Sequence, residues 1–475
     1  MPKPHRDEWE QSDAQPCGRA PLLDHDRLPL HTDKRWIVDN MGKRVKWACV
    51  NWAGAEQQDG VVGGLQFRKA SDIAGSVVEM GFNCVRLPWS VASVLKPKVV
   101  QGEDLLRANK ELIGRPTLEI LDAVVHACTT AGLMVVLDNH MSDADWCCND
   151  ADENGLWHND RWSEDDWLHA HLVMAERYAK EPLVVGTELR NELRSAWVGG
   201  QRRWPVWSGG AHNVDWSMAA KRAFHELLAK HPTGLLVIVD GLDYSTDFTG
   251  LRGREPLASM VQDAPGRLVL APHSYPWFFP QMKVLQFEVV LRSSLDVSWG
   301  FLLQAGPSHG VPLWISEFGT FSDGRRAQGA GWFPWFIRYA WDHDLDFAYW
   351  RLDGTESRGR TQQFEAHESY GLLTSKWEVP QQTGPFWRGL HQLQELHSGP
   401  GVQCVPGPRP VAPMGSSLAW LVVAASSICT PACVGLLTWS VVRCRRCFIR
   451  RRAARNVRPT AETELVSVKA IARGG

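Results

Sequence analysis

The sequence has no large excess of either charge, and this absence narrows the possible partners. Its 51 lysines and arginines nearly balance its 53 aspartates and glutamates, which leaves a net charge of −2 at pH 7. A surface that binds nucleic acid needs clustered positive charge, because the phosphates dominate the affinity. We therefore expect no nucleic acid partner for the main body of the protein.

Signals typical of several other protein classes are also missing. Residues 1–30 contain no apolar run of about 7–15 residues, so no signal peptide is visible. No G-x-G-x-x-G motif follows the first predicted strand, which argues against a dinucleotide site. The 11 cysteines show no spacing typical of a metal centre, although Cys147 and Cys148 are adjacent. The sequence therefore predicts no metal and no organic cofactor.

Tryptophan, by contrast, is abundant. The chain holds 24 tryptophans and only 6 tyrosines. An indole ring fills a hydrophobic core well, and its flat apolar face also suits stacking against a pyranose ring. Composition leaves both uses open.

The main body alternates between short apolar runs and amphipathic stretches. The apolar runs predict strands at 45–52, 82–87, 133–138, 183–186, 235–240, 268–272, 312–316 and 346–350. Helical patterns follow at 67–80, 116–131, 163–180, 215–230, within 277–305, at 331–343 and at 385–396. Eight strands that alternate with helices predict an α/β fold, a (β/α)8 TIM barrel. An open doubly wound sheet is the alternative.

The composition divides the chain into five segments. We predict a disordered or loosely attached arm over 1–32, the barrel domain over 33–397, a Pro/Gly-rich linker over 398–417, a transmembrane helix over 418–442 and a basic tail over 443–475. The fourth segment has 25 residues without a charge, which is long enough to cross a bilayer. The sequence therefore predicts a single-pass membrane protein.

The membrane topology depends on two features that disagree. Eight arginines lie between residues 443 and 458, which favours a cytoplasmic C-terminal tail and an extracytoplasmic barrel. The missing signal peptide and the lack of an Asn-x-Ser/Thr sequon favour a cytosolic barrel instead. We give more weight to the arginines and predict the extracytoplasmic barrel.

Two glutamates each follow a different predicted strand. Glu192 lies just beyond the strand at 183–186, and Glu317 directly follows the strand at 312–316. In a barrel, residues at the carboxyl ends of the strands converge on one mouth. A pair of carboxyl groups is what a glycosidase requires, one as a proton donor and one as a nucleophile or base. Each glutamate alone has an ordinary explanation as a loop acid.

Other polar and aromatic residues occupy the same strand-end positions. In chain order they are Trp52, Arg86, His140, Asn191, His273, Tyr275 and Trp350. An arginine near the nucleophile would keep it ionised, and an amide beside the acid suits a hydrogen bond to a sugar hydroxyl. Tryptophan would stack beneath a sugar ring in a subsite. We predict that these seven residues bind an oligo- or polysaccharide substrate.

Several motifs in this order resemble family 5 of the glycoside hydrolases, the cellulase-type (β/α)8 enzymes. They are NCVRLPW (83–89), VVLDNH (135–140), RNE (190–192), APHSYPW (271–277), ISEFG (315–319) and YWRLDG (349–354). The resemblance implies Glu192 as the acid/base and Glu317 as the nucleophile of a retaining β-glycosidase, with Arg86, His140, Asn191, His273, Tyr275 and Trp350 around the substrate. The segments at 143–157 and 368–373 look most like the plant-type, eukaryotic branch.

Three functions remain open at this point. The first is a membrane-anchored hydrolase of a β-linked glucan or related hemicellulose, similar to an endoglucanase. The second is a membrane-associated hydrolase of glycolipids such as glycosylceramides. The third is a catalytically silent carbohydrate-binding membrane protein, which would have no need for both glutamates.

Overall fold

The computed structural model describes residues 15–148, 152–231, 234–252, 256–278, 288–303, 310–321, 327–358 and 363–410. Within these ranges no helix combines the length and the apolar character that a membrane span requires. The predicted transmembrane helix at 418–442 and the basic tail at 443–475 lie outside the described residues.

Eight parallel strands form the centre of the fold. They are β1 (Ala48–Asn51), β2 (Cys84–Ser90), β3 (Met134–Met141), β4 (Val184–Glu188), β5 (Leu236–Asp240), β6 (Leu268–Ala271, continued by His273–Ser274), β7 (Trp314–Phe318) and β8 (Asp346–Tyr349). Their residues are buried throughout, as expected for strands covered on both faces.

The sheet closes on itself through β6. The first part of β6 pairs with β5, and the ladder continues through β4, β3, β2, β1, β8 and β7 to the second part of β6. The Leu270 amide also donates a hydrogen bond of 2.9 Å to the Pro312 carbonyl beside β7. The predicted TIM barrel is thereby confirmed, and the open doubly wound sheet is excluded.

A helix follows each strand. The longest described helices after the successive strands are α1 (Ala70–Glu79), α2 (Thr117–Thr130), α3 (Glu164–Arg177), α4 (Trp216–Lys230), α5 (Ala258–Asp263), α6 (Glu288–Ser298), α7 (Ala327–Asp342) and α8 (Gly384–Leu393). Local sequence sets several of the ends: Ser163 and Asp166 form a capping box at the start of α3, and the Asp215 side chain caps α4. The sequence predicted all of these helices except α5.

Most of the described tryptophans belong to the core. Ten are fully buried: Trp47, Trp52, Trp89, Trp157, Trp167, Trp216, Trp299, Trp314, Trp332 and Trp377. Trp47 and Trp314 meet edge to face inside the barrel with their ring centroids 5.3 Å apart. The abundance of tryptophan is therefore mainly a packing feature.

The predicted N-terminal arm differs from the structure over residues 15–32. Leu23 and Leu30 are buried against the barrel interior at the amino ends of the strands, which we call the floor. A disulfide joins Cys17 to Cys404, and the Val405 amide donates a hydrogen bond of 3.0 Å to the Gln15 carbonyl. A few apolar side chains are enough to hold this polar segment, because the floor would otherwise expose the core. The disulfide and the hydrogen bond also hold residues 398–410, the described part of the predicted linker.

Candidate active site

The carboxyl ends of the strands, which we call the mouth, bring Glu192 and Glu317 together. Glu317 lies in β7, and Glu192 lies four residues beyond the end of β4. Carboxylate oxygens of the two residues lie within 4.8 Å of each other, and the residues are 8% and 4% exposed. Glu192 has a φ of +46°, a conformation that costs a non-glycine residue about 1–3 kcal/mol. This backbone turn directs the side chain across the mouth toward Glu317.

Two donors hold the carboxylate of Glu317. The Arg86 guanidinium donates to Glu317 Oε1 at 2.7 Å, and the Tyr275 hydroxyl donates to Oε2 at 2.9 Å. Hydrogen bonds of this kind favour the charged form of a carboxyl group. Glu317 is therefore arranged as an ionised group whose oxygens are fixed in position.

Glu192 has a different environment. His273 Nδ1 lies 3.1 Å from Glu192 Oε1, and burial lowers the pKa of His273 to about 4, so the imidazole is neutral. Burial raises the pKa of both glutamates to about 7. Two carboxyl groups this close do not both ionise readily, so the pair retains one proton near neutral pH. Because Arg86 and Tyr275 stabilise the charge of Glu317, the proton resides on Glu192.

Arg86 is the fully buried centre of the polar network. Its guanidinium donates to Asn51, Asn191, Glu188 and Glu317, and it lies 3.1 Å from Asp138. Burial alone would lower its pKa, but Asp138, Glu188 and Glu317 raise it well above the usual value. The sequence prediction missed Asp138 and Glu188. The signal for them was present, since Asp138 is a buried acid directly after the apolar run Met134–Leu137 and Glu188 is a buried acid at the end of β4.

His140, Asn191 and Trp350 form one wall of the mouth. The His140 and Trp350 rings stack with centroids 5.4 Å apart and planes 11° apart. His140 Nδ1 lies 2.6 Å from Asp138 Oδ2, so Nδ1 carries the hydrogen and Nε2 is left as an acceptor, 3.3 Å from Asn191 Nδ2. Trp350 is partly exposed, and its contact with a sugar ring stays a prediction.

Trp52 does not join this group. Its side chain is fully buried in the core, and its indole N–H donates to the Gly63 carbonyl at 2.9 Å. The predicted role of Trp52 in substrate binding is therefore not supported, because no face of the ring is open to a ligand. Trp277, which was not among the predicted site residues, is 49% exposed and stacks on Tyr275 with centroids 4.3 Å apart.

Possible metal ligands also meet near the mouth. His273 lies within 4.8 Å of two carboxylate pairs among the described residues, Glu192 with Glu317 and Glu188 with Asp240. Arg86 already supplies positive charge to Glu188 and Glu317. The Arg86 guanidinium therefore already provides Glu188 and Glu317 with the positive charge that a metal ion would supply.

Comparison with known protein families identifies the family to which this site belongs. The family model of cellulase, glycosyl hydrolase family 5, matches residues 38–356. The chain belongs to glycosyl hydrolase family 5. The matched region contains both glutamates and every residue predicted to bind substrate. The assignment to the glycosidases, which hydrolyse O-glycosyl bonds, is thereby confirmed, while the plant-type branch stays a prediction.

Relatives of this family 5 chain come from several organisms. A glycosyl hydrolase 5 family protein of Chamaecyparis obtusa is 30% identical over 373 residues, which cover 74% of this chain and 63% of that protein. An endoglucanase of Paenibacillus polymyxa is 26% identical over 368 residues, 73% of this chain and 83% of that protein. The solved catalytic domain of the major endoglucanase from Xanthomonas campestris pv. campestris is 25% identical with a TM-score of 0.63, covering 76% of this chain and 99% of that domain. The chain thus spans less than two thirds of the first relative but nearly all of a solved catalytic domain.

Proposed function

We propose that this family 5 chain is a retaining hydrolase of a β-linked glucan or related hemicellulose, with endoglucanase-like action in polysaccharide catabolism or cell-wall remodelling. The observation that carries the proposal is the separation of the two carboxyl groups, whose oxygens lie within 4.8 Å. Retaining glycosidases hold these groups about 5–5.5 Å apart, whereas inverting enzymes need about 6.5–9.5 Å to admit a water between them. The names of the Paenibacillus and Xanthomonas relatives support a glucan as the substrate.

In the first step, the ionised Glu317 attacks the anomeric carbon and the bond to the leaving oxygen breaks. Glu192 gives its proton to that oxygen, so the leaving chain departs as an alcohol. Glu317 is then covalently bound to the sugar through an ester. The donors Arg86 and Tyr275 keep the attacking oxygen ionised and in place until the bond forms.

In the second step, Glu192 acts as a base. It takes a proton from a water molecule, the water oxygen attacks the anomeric carbon, and the ester to Glu317 breaks. Both carboxyl groups return to their initial protonation states, and the product keeps the anomeric configuration of the substrate. Two carboxyl groups and a water balance the reaction.

The wall of the mouth explains how a sugar would be oriented. Asn191 is fixed by Arg86, which donates to Asn191 Oδ1 at 2.9 Å. Its position one residue before Glu192 suits a hydrogen bond to the hydroxyl next to the reacting carbon, a contact that strengthens in the transition state. Trp350 and the exposed Trp277 each offer a flat face on which a sugar ring would stack.

A substrate panel tests this proposal. Purified protein is incubated with carboxymethyl cellulose, a β-1,3-glucan, a mannan and a glycosylceramide, with Glu317→Gln as the inactive control. We expect new reducing ends from a β-glucan. Hydrolysis of the glycosylceramide alone would instead favour the glycolipid function, and no hydrolysis of any member would favour a silent binding protein. Proton NMR of the first product gives the stereochemistry, and an initial α-anomer from a β-substrate would contradict retention.

We also propose that residues 418–442 anchor the protein in a membrane with the barrel outside the cytoplasm. The uncharged segment and the arginines that follow it support this proposal. The disulfides Cys17–Cys404 and Cys49–Cys84 add to it, since such bonds persist mainly in oxidising compartments. Protease added to intact cells should remove the barrel and leave a C-terminal epitope intact. A protected barrel would contradict the proposed topology.

A further inference from the structure

A pair of neighbouring cysteines lies against the substrate wall and has no part in the mechanism above. Cys147 and Cys148 follow β3 and pair with each other as a vicinal disulfide. Their Sγ atoms lie 3.6 and 3.8 Å from Asn191 Nδ2, the side chain next to the acid/base. Both residues are partly exposed, so small reagents in the mouth reach them.

His140 completes this cluster. Nitrogen and sulfur atoms of His140, Cys147 and Cys148 all lie within 4.8 Å of one another. The His140 Nδ1–H is held by Asp138 at 2.6 Å, which leaves the Nε2 lone pair directed toward the Asn191 amide and the sulfurs. A carboxylate that fixes one ring nitrogen while the other binds an ion is the usual support of a metal-binding histidine.

We propose that the reduced Cys147–Cys148 pair and His140 Nε2 form a binding site for a thiophilic divalent cation, such as Cd²⁺ or Zn²⁺, and that an ion bound there blocks the substrate wall. Two sulfurs and one imidazole nitrogen are a ligand set that such ions favour, with a fourth position left for water.

The site forms in two balanced steps. A dithiol reductant supplies two electrons and two protons, which break the S–S bond into two thiols while the reductant becomes a disulfide. The cation then binds both sulfurs as thiolates and displaces two protons. In the oxidised protein, the sulfurs are bonded to each other and offer no thiolate. Binding therefore depends on the redox state.

Occupation of the site has a direct effect on the substrate wall. An ion on His140 Nε2 takes the acceptor that lies 3.3 Å from Asn191 Nδ2. It also sits beside the His140–Trp350 stack, where a sugar ring would lie. The ion and the sugar consequently compete. The competition rests on the proposed function, but the binding of the ion does not.

Cadmium titration of the full chain tests the binding. The protein is reduced with dithiothreitol, freed of reductant without air and titrated with Cd²⁺, with thiolate-to-cadmium ultraviolet absorbance and bound metal as readouts. The test variant is Cys147→Ser with Cys148→Ser, and the control is Cys128→Ser, which removes a buried free thiol. We expect reduced wild-type protein and the control to bind one more Cd²⁺ per chain than the test variant. Equal binding by wild-type protein and the test variant would overturn the proposal.

Kinetics test the competition separately. At a Cd²⁺ concentration about ten times its dissociation constant, competitive binding raises the apparent KM about 11-fold in reduced wild-type protein. The oxidised protein and the test variant should show no such rise. If cadmium binds the cysteines and KM stays unchanged, the blocking role is wrong. If no substrate is hydrolysed at all, the proposed function fails while the titration still decides the binding site.

Discussion

Replacing Tyr275 with phenylalanine tests the assignment of Glu317 as the ionised nucleophile. The Tyr275 hydroxyl donates to Glu317 Oε2 at 2.9 Å, and the Tyr275 ring stacks on Trp277. Phenylalanine keeps the ring, the stack and the volume, and it removes only the donor. The perturbation is therefore confined to one hydrogen bond on one carboxylate.

The size of the effect follows from the charge on that carboxylate. A hydrogen bond to a charged group contributes about 1.5–3 kcal/mol. One pKa unit corresponds to about 1.4 kcal/mol, so the loss of the donor should raise the pKa of Glu317 by about 1–2 units. The donor favours the ionised form, and ionised Glu317 is required for attack. The acid limb of the kcat/KM profile should therefore move to higher pH by the same amount.

The assay is kcat/KM against pH on a soluble β-glucan oligosaccharide, for wild-type protein and Tyr275→Phe. The alkaline limb, which reports loss of the Glu192 proton, should move less than the acid limb. The pH range over which kcat/KM is high should therefore become narrower. A thermal unfolding curve checks that the variant keeps its fold. An acid limb that stays in place would refute the charge assignment, even if the rate falls.

Other substitutions test neighbouring parts of the same arrangement. Glu317→Gln should abolish hydrolysis, because an amide does not attack the anomeric carbon; near-normal turnover would remove Glu317 from the mechanism. Glu192→Ala should lose hydrolysis, and azide should restore turnover of an activated substrate as a β-glycosyl azide; no rescue would count against the acid/base role. Arg86→Lys should cut kcat/KM by about 100-fold, since one ammonium group does not hold all five partners in place, and activity within a few-fold of wild type would contradict this. Cys17→Ser should lower the free energy of unfolding by about 2–5 kcal/mol in denaturant melts, while an unchanged midpoint would show that the bond to Cys404 adds no stability.

The sequence predicted the barrel well because its signals are local. Each strand is a short apolar run, and most helices carry a recognisable start or end, such as Ser163 before α3. The helix α5 was missed because it has six residues and too few turns to show a period. The attachment of residues 15–32 was missed for another reason, since it depends on contacts with the floor that are distant in sequence.

The site shows the same division between local and distant information. The strand-end positions predicted the meeting of Glu192 and Glu317, because the barrel brings all strand ends to one mouth. Position alone did not distinguish the direction of neighbouring side chains. Trp52 follows β1 just as Trp350 follows β8, yet the Trp52 ring turns into the core and bonds to Gly63. The association of Cys147 and Cys148 with Asn191 depends on a loop conformation that no sequence pattern specifies.

The meeting of residues 15 and 405 at the floor has a consequence for engineering. The Gln15 carbonyl and the Val405 amide are already hydrogen-bonded, so a peptide of a few residues would bridge the two positions. A circular permutant joined there would keep the floor closed. New termini would then be opened in an exposed loop that connects a helix to a strand. The order of the elements along the chain would change, and the residues of the mouth would stay in place. The same proximity offers a place to insert the barrel, as a module, into a loop of a carrier protein.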